Sequence, residues 1–329
     1  MTFDHEILQT RDLIATAVKF DYPALKFVSA GIPVEGVSGD KVEWDIETPN
    51  NEIDINFVNP DSQSQPTQPT IIGHRVANAL TTFVHQHIGA GKLLNLRFPG
   101  TKENNARRLI AREQDHLVKF YGARRDEWMI ASMLKGTLTF TLNGVAQTID
   151  YGIDATHEPD VSGTGPWSTV GTDILSQVNE WKGLIVADSG QDPTTMWMNS
   201  VTAMYLIQNT VLSNYFSSTA EGILMVKEGA VQRLFGLNII IYDGAYMSGT
   251  STKYIPDNYV MILPDFNAEW ISMVHGSNLI PMGDDMEEVE GKAMYQESVK
   301  DPIGIKMYLK YTRLPILKVP DAVIYAQVA

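Results

Sequence analysis

Residues 1–102 hold no pattern from which a compact core can be built, and this limits the possible folds more than any motif in the chain. In residues 1–40, Ile7, Leu8, Leu13, Ile14, Ala17 and Val18 fit a short amphipathic turn or two. Pro23, Gly31, Pro33, Gly36 and Gly39 then break the segment, which reads as an N-terminal arm. Residues 41–58 alternate, with Val42, Trp44 and Ile46 answered by Ile53, Ile55 and Phe57 across Thr48, Pro49, Asn50 and Asn51, so a hairpin is expected. The run NPDSQSQPTQPT (59–70) is polar and proline-rich and buries nothing. Weak alternation returns over 71–98. Together these pieces make at most a long two-stranded excursion, which is marginal alone in water and needs another surface to lie on.

Residues 103–135 carry the longest helical pattern. Ala106, Ile110, Leu117, Tyr121, Trp128, Ala131 and Leu134 recur near the 3.6-residue period, between Pro99-Gly100 and a stop at Gly136. Glu103 precedes Arg107 by four, and Asp115 precedes Lys119 by four, the favourable order for helix pairs. Such a helix runs about 50 Å, with a bend expected at Gly122. A hairpin follows over 137–151 around Asn143-Gly144, then a loop rich in Gly, Pro and Thr over 154–171. Ile174, Val178, Trp181 and Ile185 form a helix stripe with Thr172 as the expected cap. A strand over Thr195–Met198 leads to a second helix, whose packing face is expected to carry Val201, Met204, Tyr205, Val211, Leu212 and Tyr215. Residues 221–235 suit either strand or helix. Buried strands are expected at 237–242 and 259–264, a strictly alternating strand over 303–312 and a last strand over 322–328. The acidic run GDDMEEVEG (283–291) reads as a solvated loop.

Lys and Arg number 25 against 39 Asp and Glu, a formal charge of -14 that argues against nucleic-acid binding as the main task. The charge is uneven. Residues 60–102 hold four basic groups against one acidic, and 103–135 hold seven against five, leaving -19 for the remainder. A basic middle in an acidic chain suggests contact between copies, with Arg75, Lys92, Arg97, Arg107, Arg108, Arg112, Arg124 and Arg125 meeting acidic surfaces of neighbours. The start of the chain lacks the basic-then-apolar layout of a signal peptide, and no apolar run approaches the ~18 residues of a membrane helix, so a soluble, intracellularly made protein is expected.

Catalytic signals are missing. With no cysteine, thiolate zinc sites and cysteine nucleophiles are excluded. Gly89-Ala-Gly91-Lys92-Leu93 hints at a phosphate loop, but Gln86 stands where the first glycine belongs and Leu93 where a magnesium-binding hydroxyl belongs, so a flexible loop is expected. His85 and His87 share a strand face without a third ligand nearby in sequence, and His74 reads as a surface residue. The carboxylates at 284–290 lack the spacing of a calcium loop.

The segments LKGTLTFT (134–141), LFGLNIIIYDGAY (234–246), YIPDNYVMILP (254–264) and DPIGIKMYLKYTRLPILKVPDAVIYAQVA (301–329), in this order behind a long helix, resemble the tailed-bacteriophage major capsid proteins of the lambda-like capsid protein E family. The resemblance implies an α+β Hong Kong 97 type fold. Its parts would be an N-terminal arm (1–40), an extended loop or E-loop (41–102), a P (peripheral) domain (103–190) containing the spine helix 103–135 and the hairpin 137–151, an A (axial) domain (191–300), and C-terminal strands (301–329) returning to the P domain. It implies a structural protein, not an enzyme, without cofactor or metal, that forms pentamers and hexamers of an icosahedral shell around double-stranded DNA. Scaffolding protein, portal and a decoration protein are the partners it suggests, with no membrane, assembly in the host bacterial cytoplasm and final residence in the virion. Lys92 is suitably placed for the covalent cross-link of some relatives, but no partner asparagine is evident. The alternatives are an encapsulin-like compartment, a phage tail or decoration protein and, from another class, an intracellular α+β enzyme with paired carboxylates.

Overall fold

The computed structural model describes residues 25–48, 71–94, 102–142, 144–218, 226–227, 230–231, 233–234, 236–282 and 285–329. They divide into two compact units, each assembled from three separated stretches of chain.

The first unit comprises Met1–Glu43, Val76–Ile130 and Ser272–Ile316. Its organising element is the strand Ile303–Leu317, whose odd-numbered side chains face one way as the alternation of Ile305, Met307, Leu309 and Tyr311 requires. Lys292–Lys300 and Leu80–Gly89 pair with it antiparallel, and Ile271–His275 continues the sheet to the short parallel strand Val34–Gly36. The spine helix crosses the apolar face. Ile110, Leu117, Val118 and Ala123 pack there on Ile88, Met294, Met307 and Leu309. The helix runs Lys102–Leu117, passes through a six-residue π-helical segment Val118–Ala123, and resumes over Arg124–Met133. The irregularity expected at Gly122 is therefore real. It is a widened turn of the kind that admits a side chain to the backbone carbonyls.

The second unit comprises Trp44–Arg75, Ala131–Ile271 and Leu317–Ala329. A five-stranded sheet runs in the order Arg233–Leu234, Leu237–Ile241, Pro193–Met198, Tyr259–Pro264, Ile324–Gln327. Its core is apolar, with Met196, Met198, Val260, Ile262, Ile324 and Ala326 packed beside Ile174, Val178, Trp181 and Ile185 of the helix Ile174–Ser189. The cap of that helix is Asp173, not the expected Thr172. The Asp173 carboxylate accepts the Ser176 N–H at 3.1 Å, while the Thr172 hydroxyl donates to the Pro166 carbonyl at 2.7 Å.

Several expectations shift. The residues before the spine are not merely a two-stranded excursion: Leu80–Gly89 lies in the five-stranded sheet beside Ile303–Leu317, with Ala79 and Ile88 buried, because its alternation matches that of the partner strand. Lys41–Thr48 pairs with Ile71–Asn78, and the return strand expected at 53–57 lies outside the described residues. The expected single helix after residue 198 is two, Ser200–Gln208 and Thr210–Ser218, because Asn209 caps a second start by accepting the Leu212 N–H at 2.9 Å. Within 221–235 the described pieces are short strands. The acidic run is not a loop: Asp285–Glu290 pairs antiparallel with Ser277–Met282. A ladder satisfies the backbone of a strand without burying its side chains, so these carboxylates stay solvated. Gly89 closes a strand and Ala90–Leu94 forms a short helix where a flexible loop was expected. The grouping of segments also interleaves. Residues 131–190 and 317–329 belong with 191–271, and 272–300 belongs with the spine.

Candidate assembly surface

The basic residues singled out by sequence do not form one patch. Lys92 is exposed on the short helix Ala90–Leu94, and Arg112 is exposed on the spine. Arg75 is exposed on Ile71–Asn78, where its Nη2 stands 3.1 Å from the position a Cβ would take on Gly152. Gly152 has φ of +75°, so the bare backbone is what lets this guanidinium come close. Arg97 lies outside the described residues. Arg107 and Arg108 occupy the spine, with side chains outside the described set. Arg124 and Arg125 follow the π-helical segment on the exposed side, and the Arg125 guanidinium lies 5.6 Å from the Trp128 ring centre. Burial, and then the nearby Arg313 charge, lower the Arg125 pKa from its ordinary value.

Sequence reasoning missed what holds the spine. Arg313 continues the inward register of Met307, Leu309 and Tyr311, so a guanidinium enters the core fully buried. It is met on every side. Its Nε donates to the buried Asp126 carboxylate, its Nη1 to Thr82 Oγ1 at 2.9 Å and to the Tyr311 carbonyl at 3.0 Å, and its Nη2 to the Gly122 carbonyl at 3.3 Å. Arg313 thus reaches a backbone carbonyl of the π-helical segment itself. The guanidinium also lies 3.8 Å from the Tyr311 ring centre. Next to Asp126, the fully buried Glu127 accepts the backbone N–H groups of Phe27 at 3.0 Å and Val28 at 2.8 Å. Those donors open the short helix Lys26–Ser29, so the spine clamps that helix through a charge-assisted pair. The parity of the 303–317 alternation, followed two residues further, was the one available signal for Arg313.

His275 borders this group, its Nε2 3.0 Å from the Tyr311 hydroxyl. Burial above all, with the Lys292 and Arg313 charges added and Asp126 opposing, pushes its pKa down to about 4.

Around this fixed centre the surface is unusual in another way. Two-stranded pairs are formed by 41–48 with 71–78, 137–142 with 145–150, 245–248 with 250–253 and 277–282 with 285–290. They carry exposed apolar side chains, among them Val76, Leu142, Val145, Met247 and Leu279. Such ribbons are marginal without a supporting surface. His85 lies 5.5 Å from Tyr308, ring centre to ring centre, and His74 Nδ1 lies 3.0 Å from Asp45 Oδ1. No group of three His, Asp or Glu residues suited to a metal occurs among the described residues. A hollow of about 620 Å³ between Thr164 and Gln177 contains the carboxylate of Asp173, already engaged as a helix cap. No described helix is long and apolar enough to cross a membrane.

The chain is matched from residue 9 to residue 328 by the model of the phage major capsid protein E family. It belongs to that family, whose members are shell-forming structural proteins of phages. Solved structures agree on the fold, which is of the Hong Kong 97 type. A protein assigned as the capsid protein of a prophage of E. coli CFT073 superposes with a TM-score of 0.68 at 14% identity, covering 98% of this chain and 99% of that one. A phage-related protein of Bordetella bronchiseptica RB50 gives 0.61 at 12% identity, covering 98% and 97%. The capsid of cyanophage P-SCSP1u gives 0.52 at 14% identity, covering 91% and 86%. A sequence search of curated proteins finds no match.

Proposed function

We propose that this chain is the repeating subunit of an icosahedral phage head, grouped in pentamers and hexamers around packaged double-stranded DNA. The spine and the sheet it packs on would belong to the P domain and the other five-stranded sheet to the A domain, with 1–40 as arm and the pair 41–48 with 71–78 as the described part of the E-loop. The observation that carries this reading is the set of ribbons with exposed apolar side chains, which gain a second surface only when copies adjoin. Interfaces of that obligate kind typically bury about 2,000–5,000 Å². Closed rings of identical contacts turn a modest surplus per contact into a durable container.

The role is structural rather than enzymatic. The exposed basic residues Lys92, Arg112, Arg124 and Arg125 would meet the acidic surfaces of neighbouring copies, together with Arg75, Arg97, Arg107 and Arg108. Scaffolding protein, portal and a decoration protein are the expected partners, with assembly in the bacterial cytoplasm before DNA entry. The test is expression of the full chain, alone and with a scaffolding protein, followed by sedimentation and negative-stain imaging. Large closed particles are expected. A monodisperse, protease-resistant protomer that never assembles would end the reading.

A further inference from the structure

We propose that the outward face of the helix Ser200–Gln208, formed by Val201, Met204 and Ile207, is a contact surface for a second copy of this chain. The inference rests on the shell reading and names where copies meet.

The helix is not merely turned the wrong way. Its inner side is Thr202, Ala203 and Leu206, all buried. Asn199 caps its start, with Oδ1 accepting the Thr202 N–H at 2.9 Å, and the Ser200 N–H donates to Asp243 Oδ1 at 2.9 Å. The Thr202 hydroxyl accepts the Asn258 N–H at 3.0 Å, and the Tyr205 hydroxyl donates to Asn258 Oδ1 at 3.0 Å. Rotating the helix to hide its apolar stripe would break these bonds. Val201, Met204 and Ile207 therefore remain 40%, 48% and 45% exposed. A helix that ends its days in water carries charged or polar groups on that side.

The charge pattern selects the occupant. From Pro193 to Ala220 the sequence has no Asp, Glu, Lys, Arg or His, in a chain of formal charge -14. Two copies of so acidic a protein repel except where charge has been removed from the surface. The stripe itself offers a basic partner no counter-charge; the exposed Asp243, bonded to Ser200, stands only at the start of the helix. The centres of interfaces are depleted in charged residues and enriched in methionine. A small ligand is disfavoured because the outward side of a helix is convex, and small molecules take concave sites. The face is therefore suited to a second copy of this chain.

The absence of cysteine supplies a clean probe. Met204→Cys would be the only thiol, and its rate of reaction with a maleimide is measured in the unassembled full chain and in particles. Slowing by about tenfold or more in particles is expected, because interface cores exclude water. Equal rates would overturn the proposal while leaving the shell reading intact. Wild-type chain that forms no particles would overturn both. As a second variant, Met204→Glu should lower the particle yield with little change in the melting temperature of the unassembled chain, and about 1 M NaCl should restore part of the yield by screening. Asn179→Asp, on the exposed side of Ile174–Ser189, is the control for added charge and should assemble normally. A Met204→Glu chain that assembles like the control would refute the assignment.

Discussion

Two helices of this molecule depart from the usual pattern in opposite directions. The spine hides charge: Asp126 and Glu127 are buried in its middle. Ser200–Gln208 exposes grease, with Val201, Met204 and Ile207 toward solvent. The difference shows how each helix is held. The buried carboxylates have partners inside the same unit, Arg313 for one and the Phe27 and Val28 amides for the other. The apolar stripe is left close to half uncovered. Charge placed inside is a statement about intramolecular order, and apolar surface placed outside is a statement about association.

The sharpest way to break this comparison is to unpair Arg313. Asp126→Ala should cost about 3–5 kcal/mol, because a buried guanidinium is left without its counter-charge. Denaturant unfolding of the unassembled chain measures it. The double variant Asp126→Leu with Arg313→Met should lie closer to wild type, since replacing both partners removes the desolvation cost as well as the attraction. If the single variant is as stable as wild type, the spine is not held by this pair.

Next in size is acid sensitivity. The folded pKa of His275 is pushed down to about 4 from the ordinary 6.5 of a histidine. The unfolded chain therefore binds a proton that the folded chain refuses between these values, and this contribution to stability is lost as pH falls from about 6.5 toward 4. The loss is up to about 3 kcal/mol by the linkage relation. His275→Gln should flatten that part of the stability profile, and an unchanged slope would remove His275 from the account.

Glu127→Gln tests the clamp on Lys26–Ser29. It keeps the shape but removes the charge, and should cost about 1–2 kcal/mol. Hydrogen exchange at the Phe27 and Val28 amides should quicken while the 303–317 strand stays protected. Uniform quickening would show a global effect instead.

The smallest expected change has the opposite sign. Burial lowers the Lys135 pKa to about 8, so holding this ammonium charged at neutral pH costs stability. Lys135→Met should raise the melting temperature, with a gain of about 1 kcal/mol once residual solvation is allowed for. A fall would mean that the ammonium makes a contact worth more than its desolvation.

Much of the architecture was legible beforehand because periodicity survives folding. The alternation at 303–311, the helical period through 103–135 and the turn at Asn143-Gly144 each led to the observed kind of element. Local competition misled the reading of detail. Asp173 beats Thr172 to the Ser176 amide, and Asn209 splits one expected helix in two. The candidate surface was less legible. Met204 and Val201 share the period of packing residues, and hydropathy cannot tell whether such a stripe meets its own domain or a neighbour.

By itself the sequence determined most of the elements, since they follow from the spacing of apolar groups along the chain; it did not show that Phe27, Val42, Trp44 and Ile88 of the leading third would be buried. It also determined that the chain is acidic around a basic middle. Only the tertiary structure decided which carboxylates were to be buried and which apolar stripe left outside. Those outcomes depend on what segments nearly 200 residues apart bring together, as with Arg313 and Asp126, |i−j| = 187. No local pattern records the position of a partner that far along the chain.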